Sequence, residues 1–319
     1  MAQFVGVQSI FQFVLNKDNE DTLKQNLLLF DKICLDASLS TLYENVPRDF
    51  LTDLEWLYDK GLVCDIDSYP NSGKYLQVLV DTIGKKSIIK EFFLNPSYFK
   101  KITAFDKKLK LANVKKLSQI EGSFDKDEID EVFTALTLFT TRVVTNYLQK
   151  EEGVDAVSAL PLMHYLKDRF SSKKELVARI VLKNLPVPDG NTPLEQIVEY
   201  REDQSVKSSY LHLRRWMNKI ANENLMANEI EEEIEWLCNE FLTYMQLHKI
   251  KASTQALEAL IKSPLELLEN LATFKFSKMV DPLFAATKQK IYLLEAEINT
   301  PGKEVSYLIK SKNSFYHRD

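Results

Sequence analysis

The scarcity of glycine is the feature that most restricts what this chain can fold into. The 319 residues include 8 glycines, whereas average usage would give roughly 22. Phosphate-binding loops, dinucleotide-binding turns and large β-barrels need glycine for positive φ angles or for close backbone approach. Helices need little glycine, so the count favours a mainly α-helical fold.

Length and composition indicate a folded protein with more than one structural region. A chain of 319 residues exceeds the size at which a single core usually stops growing. The apolar fraction of 45% and the charged fraction of 27% are close to those of globular proteins, which argues against extensive disorder.

The cysteines and the first residues bear on the cellular compartment. Cys34, Cys64 and Cys238 are far apart and odd in number, so we expect reduced thiols and no disulfide framework. The opening MAQFVGVQSIFQFVL lacks a basic n-region and a small-residue cleavage site, and no apolar run is long enough to span a bilayer. We therefore expect a cytoplasmic protein with no membrane contact.

The first part of the chain mixes strand and helix signals. Leu27–Leu35 (LLLFDKICL) is a short apolar run that predicts a buried strand with Asp31 near its middle. Pro47 opens a helical pattern, which Gly61 ends, and residues 62–66 (LVCDI) predict a second strand. The apolar positions of that helix are Phe50, Leu51, Leu54 and Leu57.

Further elements are predicted up to a marked break in the pattern. Helices are expected from Asp125 to about Leu148 and around Lys174–Leu182, with a short strand at Ala156–Leu162 between them. The segment LPVPDGNTP that follows contains three prolines and one glycine, so we place a boundary there. The predicted organisation is a mixed α/β region over residues 1–185 and a long-helix region over residues 186–319.

The second region shows repeated helix signals. Thr192, Pro193 and Glu195 form a capping sequence that predicts a helix start, and Ser263 begins a similar sequence for a later helix that Pro282 should kink. Two amphipathic stripes predict an antiparallel helical hairpin. The stripes are Val206, Tyr210, Leu213, Met217 and Ile220, then Ile230, Ile234, Leu237, Phe241 and Met245. Residues 304–309 (EVSYLI) predict a C-terminal strand.

Aspartates near the two predicted strands are the candidate catalytic residues. Carboxylates at the ends of adjacent strands can share one edge of a sheet and bind Mg²⁺, as in a metal-dependent nuclease or hydrolase. The alternative is that they are ordinary polar strand ends. The candidates are Asp31, Asp36, Asp65 and Asp67. The four histidines lack the spacing of a zinc site, and we expect no metal and no cofactor.

Charge is distributed unevenly, in two blocks of opposite sign. Residues 85–116 contain ten lysines and two acidic residues, interleaved with aromatic side chains, a composition compatible with nucleic-acid backbone contact or with a solvated face. The lysines chosen as candidates are Lys100, Lys101, Lys107, Lys108, Lys115 and Lys116.

The acidic block lies in the second helix of the predicted hairpin. Residues 220–248 contain seven glutamates and no lysine or arginine. We expect Glu231, Glu232 and Glu235 to face a basic partner, and we expect one of Arg214 and Arg215 to pair with the glutamate-rich helix while the other faces solvent.

Five blocks resemble an uncharacterised family of bacterial proteins that carries them in the same order. The blocks are LLLFDKICL, LEWLYDKGLV, LPVPDGNTPLEQIVEYRED, LRRWMNKIA and YMQLHKIKAS. The resemblance brings no activity or site residue with it, but it implies gene neighbourhoods such as phage-defence operons. The leading hypothesis is a non-catalytic interaction or regulatory subunit that binds a protein partner or a second copy of itself. The alternatives are a metal-dependent nuclease or hydrolase and a nucleic-acid-binding accessory protein.

Overall fold

The fold is mainly α-helical with one small parallel sheet. The structure is a computed structural model that describes residues 3–10, 19–37, 48–72, 104, 107–108, 126–159, 172–188, 190–248 and 299–315. These residues contain eight α-helices and one four-stranded sheet. This content confirms the expected mainly helical fold with a smaller mixed α/β part. The chain divides into two compact units, Met1–Glu175 and Leu176–Asp319.

The first unit is built on a buried parallel sheet with strand order β3-β2-β1-β4. The strands are β1 (Phe4–Gln8), β2 (Lys32–Leu35), β3 (Val63–Asp65) and β4 (Asp155–Ser158). All five residues of β1 are buried. Strands of a parallel sheet are covered on both faces, so their side chains need not alternate between apolar and polar.

Three helices connect these strands. They are α1 (Asn19–Leu29), α2 (Arg48–Asp59) and α3 (Lys126–Glu151), and a 3₁₀ helix, Ile66–Ser68, follows β3. Crossovers between parallel strands are right-handed as a rule, and for this strand order the rule places α1 and α2 on one face of the sheet and α3 on the other. The core under α3 includes Val5, Val7, Cys34, Leu138, Val143, Val144, Tyr147 and Ala156.

The predicted strand over LLLFDKICL is partly wrong. Leu27, Leu28 and Leu29 form the end of α1, and β2 begins at Lys32, so Asp31 precedes the strand instead of lying within it. Both the helix end and the strand are buried, and an apolar run therefore does not mark the boundary between them. The other predicted strands and helices of this unit correspond to α2, β3, α3 and β4.

The second unit contains only helices among its described residues. They are α4 (Lys173–Asn184), whose first turn contains the division between the units, α5 (Leu194–Glu202), α6 (Gln204–Ala221), α7 (Ala227–His248), a 3₁₀ helix (Lys303–Val305) and α8 (Ser306–Phe315). No helix in the described part of the chain is long and apolar enough to cross a membrane.

Helices α6 and α7 carry the two predicted stripes, and a third element contacts both. The buried residues of the two helices include Leu213, Met217, Ile220, Ile230, Ile234 and Leu237. Residues 299–315, here named the C-terminal segment, contain a 3₁₀ helix and an α-helix that each contact α6 and α7. The main contacts of α6 and α7 are with the C-terminal segment, and the direct pairing of the two stripes with each other stays a prediction.

The predicted strand at EVSYLI is wrong, because these residues form the second 3₁₀ helix and the first turn of α8. Tyr307 is buried and lies edge-on to Tyr210 of α6, with ring centroids 5.4 Å apart. The aromatic and β-branched residues that suggested a strand are instead held by packing on α6. The helix predicted from Ser263, with its kink at Pro282, lies outside the described residues.

The helix start predicted at Thr192 is displaced by one residue. Helix α5 begins at Leu194 with Pro193 as its N-cap, so Thr192 does not occupy the capping position. A second start, which the sequence pattern did not indicate, lies at Asp203, whose side chain accepts hydrogen bonds from Ser205 N at 2.8 Å and Val206 N at 3.1 Å. This cap separates α5 from α6.

Replacing Asp203 with alanine should lower the free energy of unfolding by about 1 kcal/mol, because two amides at the start of α6 lose their acceptor. Burial alone would raise the pKa of Asp203, but the hydrogen bonds from Ser205 and Val206 outweigh it and the pKa is lowered. The carboxylate therefore stabilises the fold fully above its unfolded-state pKa, and this contribution is lost as the pH falls through the folded-state pKa.

Thermal unfolding of Asp203→Ala and of Asp203→Asn at neutral and acidic pH tests the cap. The asparagine variant keeps an acceptor oxygen and should retain most of the stability. Equal stability of wild type and the alanine variant at neutral pH would contradict the capping role.

Candidate functional site

The carboxyl edge of the sheet, between β1 and β4, is the first candidate site. The strand order reverses there, since the chain goes from β1 to β2 on one side and later returns to β4 on the other. In open α/β sheets, ligands bind outside the carboxyl ends of the strands at such a point. Gln8 and Ser158, the last residues of β1 and β4, are polar although they are buried, and so is Ser9, which follows β1.

Helix α3 supplies hydroxyl groups to the same edge. Thr140 Oγ1 donates to Ser9 Oγ at 3.3 Å, and Thr145 Oγ1 and Ser158 Oγ are 3.2 Å apart. Side chains of α3 thus bridge the ends of both strands at the reversal. A cluster of hydroxyls can bind a polar ligand or can serve only to satisfy buried strand ends.

Asp36 is the buried carboxyl group of this edge. Its Oδ1 accepts a hydrogen bond from Ile10 N at 2.8 Å. Burial raises the pKa of Asp36, although the hydroxyls of Thr140 and Ser9 act in the opposite direction. Within the described part of the chain, no donor reaches Asp36 Oδ2 with hydrogen-bond geometry. A carboxyl group of this kind can hold a proton or accept a hydrogen bond from a ligand.

Gln8 has an unsatisfied group on the other face of the sheet. Its Oε1 accepts from Asn26 Nδ2 of α1 at 3.2 Å, whereas Nε2 finds no acceptor among the described residues. Side chains of adjacent residues alternate between faces, so Gln8 points towards α1 while Ser9 and Asp36 lie on the α3 side. The two unsatisfied groups therefore flank the sheet edge.

The structure separates the four candidate aspartates. Asp31 lies at the amino edge of the sheet, where its carboxylate accepts from Phe4 N at 2.7 Å. Asp36 and Asp65 lie at the carboxyl edge but on opposite faces, and Asp65 accepts from Ser68 Oγ at 2.9 Å. Asp67 is an exposed residue of the 3₁₀ helix. Within the described ranges, no three His, Cys, Asp or Glu side chains are grouped so that they could hold a metal ion.

Most of the candidate lysines lie outside the described residues. Lys107 and Lys108 are described and exposed. Lys100, Lys101, Lys115 and Lys116 are not among the described residues, so the proposed nucleic-acid contact stays a prediction.

The second candidate site is the solvent-facing side of α7. Among the side chains described after the first turn of the helix, the exposed ones form one stripe, here named the outer face: Glu232, Glu235, Trp236, Asn239, Leu242 and Thr243. Trp236 is 56% exposed. Glu231, at the margin of this face, is half-buried and its Oε1 lies 3.0 Å from Lys183 Nζ. Glu232 and Glu235 therefore face solvent as expected, whereas Glu231 makes an ion pair within the unit.

The two candidate arginines differ in exposure. Arg214 is buried, and its Nη1 donates to Tyr210 Oη at 3.2 Å while the guanidinium lies over the Tyr210 ring. Arg215 is exposed. Arg214 is thus part of the packing of the second unit, and Arg215 is the arginine of the pair that faces solvent.

The first unit belongs, by its topology, to the doubly wound class of parallel α/β folds. Beyond this class, comparison gives no name: no protein-family model matches the chain, and no curated protein and no solved structure gives a significant match. The resemblance to a bacterial family drawn from the sequence blocks stays a prediction.

Proposed function

We propose that this protein is a non-catalytic interaction or regulatory subunit, and that the outer face of α7 binds a basic segment of a protein partner. The observation that carries the proposal is the exposure of Trp236 within an acidic surface. A cytoplasmic complex of a bacterium, including one that acts in phage defence, is the setting we propose for it.

Trp236 has the properties of a binding anchor. Tryptophan is among the residues most enriched at interface positions that dominate affinity, because its large ring removes much apolar surface from water when it is covered. Its aromatic face also attracts arginine and lysine. Leu242, which is 39% exposed, extends the apolar surface by more than one helical turn.

The charges around Trp236 indicate the sign of the partner. Glu232 and Glu235 are exposed on the outer face, and Glu233 and Glu240 are half-buried beside it. No lysine or arginine interrupts residues 220–248. A basic partner would be attracted to this face and oriented by it. A second copy of the same face would bring glutamates against glutamates, which disfavours self-association through it.

Replacing Trp236 with alanine should lower affinity for the partner about 30-fold, the loss typical of a central interface anchor. The double reversal Glu232→Lys and Glu235→Lys should weaken binding as well and reduce its dependence on salt. The measurement is quantitative affinity purification from the native host, followed by titration of the purified partner in increasing salt.

Leu211→Ala is the matched control. Leu211 is 48% exposed on the neighbouring helix α6, but Lys207 and Arg215 flank it one turn away. This variant should retain every partner that depends on the outer face. If the three variants retain the same proteins as wild type, or if the captured partner is acidic, the proposed function is wrong.

The two alternatives predict different activities. A metal-dependent nuclease should degrade labelled DNA or RNA with Mg²⁺ or Mn²⁺ and lose this activity in Asp36→Asn. A nucleic-acid-binding accessory protein should bind without cleavage, with an affinity that falls steeply with salt through counterion release. Wild type that shows neither activity but binds the basic partner would support the proposal.

A further inference from the structure

Two buried cysteines face each other across neighbouring strands of the first unit. Cys34 of β2 and Cys64 of β3 are register partners in a parallel pair, and both thiols are free. Register partners project to the same side of a sheet, and both residues belong to the core under α3. Neighbouring strands are about 4.8 Å apart, which lies within the Cα separation of roughly 4.4–6.8 Å found in disulfides.

The surroundings of the two thiols are unequal. Cys34 is on the inner strand, is fully buried, and its Sγ lies 3.6 Å from the carbonyl oxygen of Leu35. Cys64 is on β3, the outermost strand on that side of the sheet as described, and its Sγ lies 3.9 Å from the hydroxyl of Tyr69, a half-buried residue. Cys64 is therefore the less deeply buried thiol, at 3% exposure against 0%, and the one that we expect to react first.

The electrostatic environment agrees with this order. The hydrogen bond from Cys34 lowers the pKa of Cys64, with help from Lys32 and Tyr69 and against the effect of burial. Burial raises the pKa of Cys34 well above its usual value. Of the two thiols, Cys64 therefore loses its proton more readily, and the thiolate is the form that reacts with oxidants.

We propose that Cys34 and Cys64 are a redox modification site, which a hydroperoxide converts reversibly into a disulfide between β2 and β3. The Cys64 thiolate attacks the O–O bond, forms a sulfenic acid and releases hydroxide, which leaves as water after protonation. The Cys34 sulfur then attacks the sulfenic sulfur, forms the S–S bond and releases water. The dithiol loses two electrons and two protons in total, and one hydrogen peroxide becomes two water molecules.

Burial also favours the disulfide over other products of the pair. A disulfide is neutral, whereas two thiolates, or a sulfinate on Cys64, would place charge in the core near Asp36 and Asp65, whose negative charges already raise the pKa of Cys34. A nearby resolving thiol intercepts the sulfenic acid before it is oxidised further.

The test treats the native protein with graded hydrogen peroxide, blocks remaining thiols by alkylation under denaturing conditions, and measures intact mass and digested peptides. We expect loss of two hydrogen atoms, a peptide that joins Cys34 to Cys64, and full reversal by dithiothreitol. Cys238→Ser should behave like wild type, because Cys238 is half-buried in the second unit. Cys34→Ser should accumulate a dimedone-reactive sulfenic acid on Cys64, whereas Cys64→Ser should leave Cys34 unreacted.

Three outcomes would overturn the proposal: both thiols remain alkylatable after treatment, Cys64 is oxidised to a sulfinic acid without the joined peptide, or the disulfide involves Cys238 or a second chain. Should the serine variants fail to fold, Cys34→Ala and Cys64→Ala preserve the apolar character of the site. The peptide map of the wild-type protein still shows by itself whether Cys34 and Cys64 are joined. None of these measurements depends on the outer face of α7.

Discussion

Replacing Gly302 with alanine should destabilise the second unit by about 2–5 kcal/mol. Gly302 has a φ of 77°, and a side chain in this left-handed region costs roughly 1–2 kcal/mol. In addition, a Cβ atom would collide with the carbonyl oxygen of Leu237 and approach the amide of Phe241. These are backbone atoms of α7, which cannot give way without distortion of the helix, so about 1–3 kcal/mol of steric strain is added.

Gly61→Ala is the control for the cost of the left-handed backbone conformation. Gly61 has a φ of 71°, and nothing lies within 4 Å of its hypothetical Cβ. This variant should therefore lose only the roughly 1–2 kcal/mol that a side chain costs in the left-handed region. Trp216 and Trp236 lie in the second unit and Trp56 in the first. Urea unfolding followed by tryptophan fluorescence in a Trp56→Phe background therefore reports on the second unit. Gly61→Ala is compared with wild type by circular dichroism.

Equal losses in the two alanine variants would contradict the close contact between Gly302 and α7. In that case the C-terminal segment would not be held against the helix by the glycine. A larger loss in Gly302→Ala would support the view that this segment is part of the core of the second unit.

The helices were predictable where one face is apolar and the other is polar. Helix α2 buries Leu51, Leu54 and Leu57, the spacing of a single helical face. The same holds for α6 and α7, where eight of the ten predicted stripe residues are buried and two are half-buried. In these elements the local pattern and the tertiary contacts require the same residues, so the sequence suffices to locate them.

Strand β1 and helix α1 were not predictable from the same kind of pattern. β1 is buried on both faces as the neighbour of two strands, so it shows no alternation of apolar and polar residues. The apolar run that ends α1 continues into β2, and the sequence alone does not show where one element ends. β1 is defined by its pairing with β2 and with the distant β4, contacts that a local pattern does not show.

The candidate site illustrates the same limit. Asp36 could be named because it follows an apolar run, but its partners come from elsewhere in the chain. The contact between Thr140 and Ser9 joins residues separated by 131 positions, and no spacing rule relates residues so distant in sequence. Recognition of FVGVQS as a strand with a polar end would have been the signal for Gln8 and Ser9.

The first unit contains a buried ion pair. Arg142 Nη2 of α3 lies 3.2 Å from Glu175 Oε1 of α4, and both side chains are 2% exposed or less. Removal of one partner from such a pair leaves an uncompensated charge in the interior, which costs about 3–5 kcal/mol. We therefore expect Glu175→Leu to lower the free energy of unfolding of the first unit by about this amount.

The double variant Arg142→Met and Glu175→Leu distinguishes the electrostatic cost of Glu175→Leu alone from the cost of the changed side-chain packing. It replaces the pair with apolar side chains of similar size, so it should recover most of the stability. Lys174→Met is the control, because its ion pair with Asp155, at 2.7 Å, has a lysine side chain that is 46% exposed, and such pairs contribute about 0–1 kcal/mol. Urea unfolding of the three variants gives the comparison. If the double variant is as unstable as Glu175→Leu alone, the pair contributes specific attraction beyond the neutralisation of a buried charge.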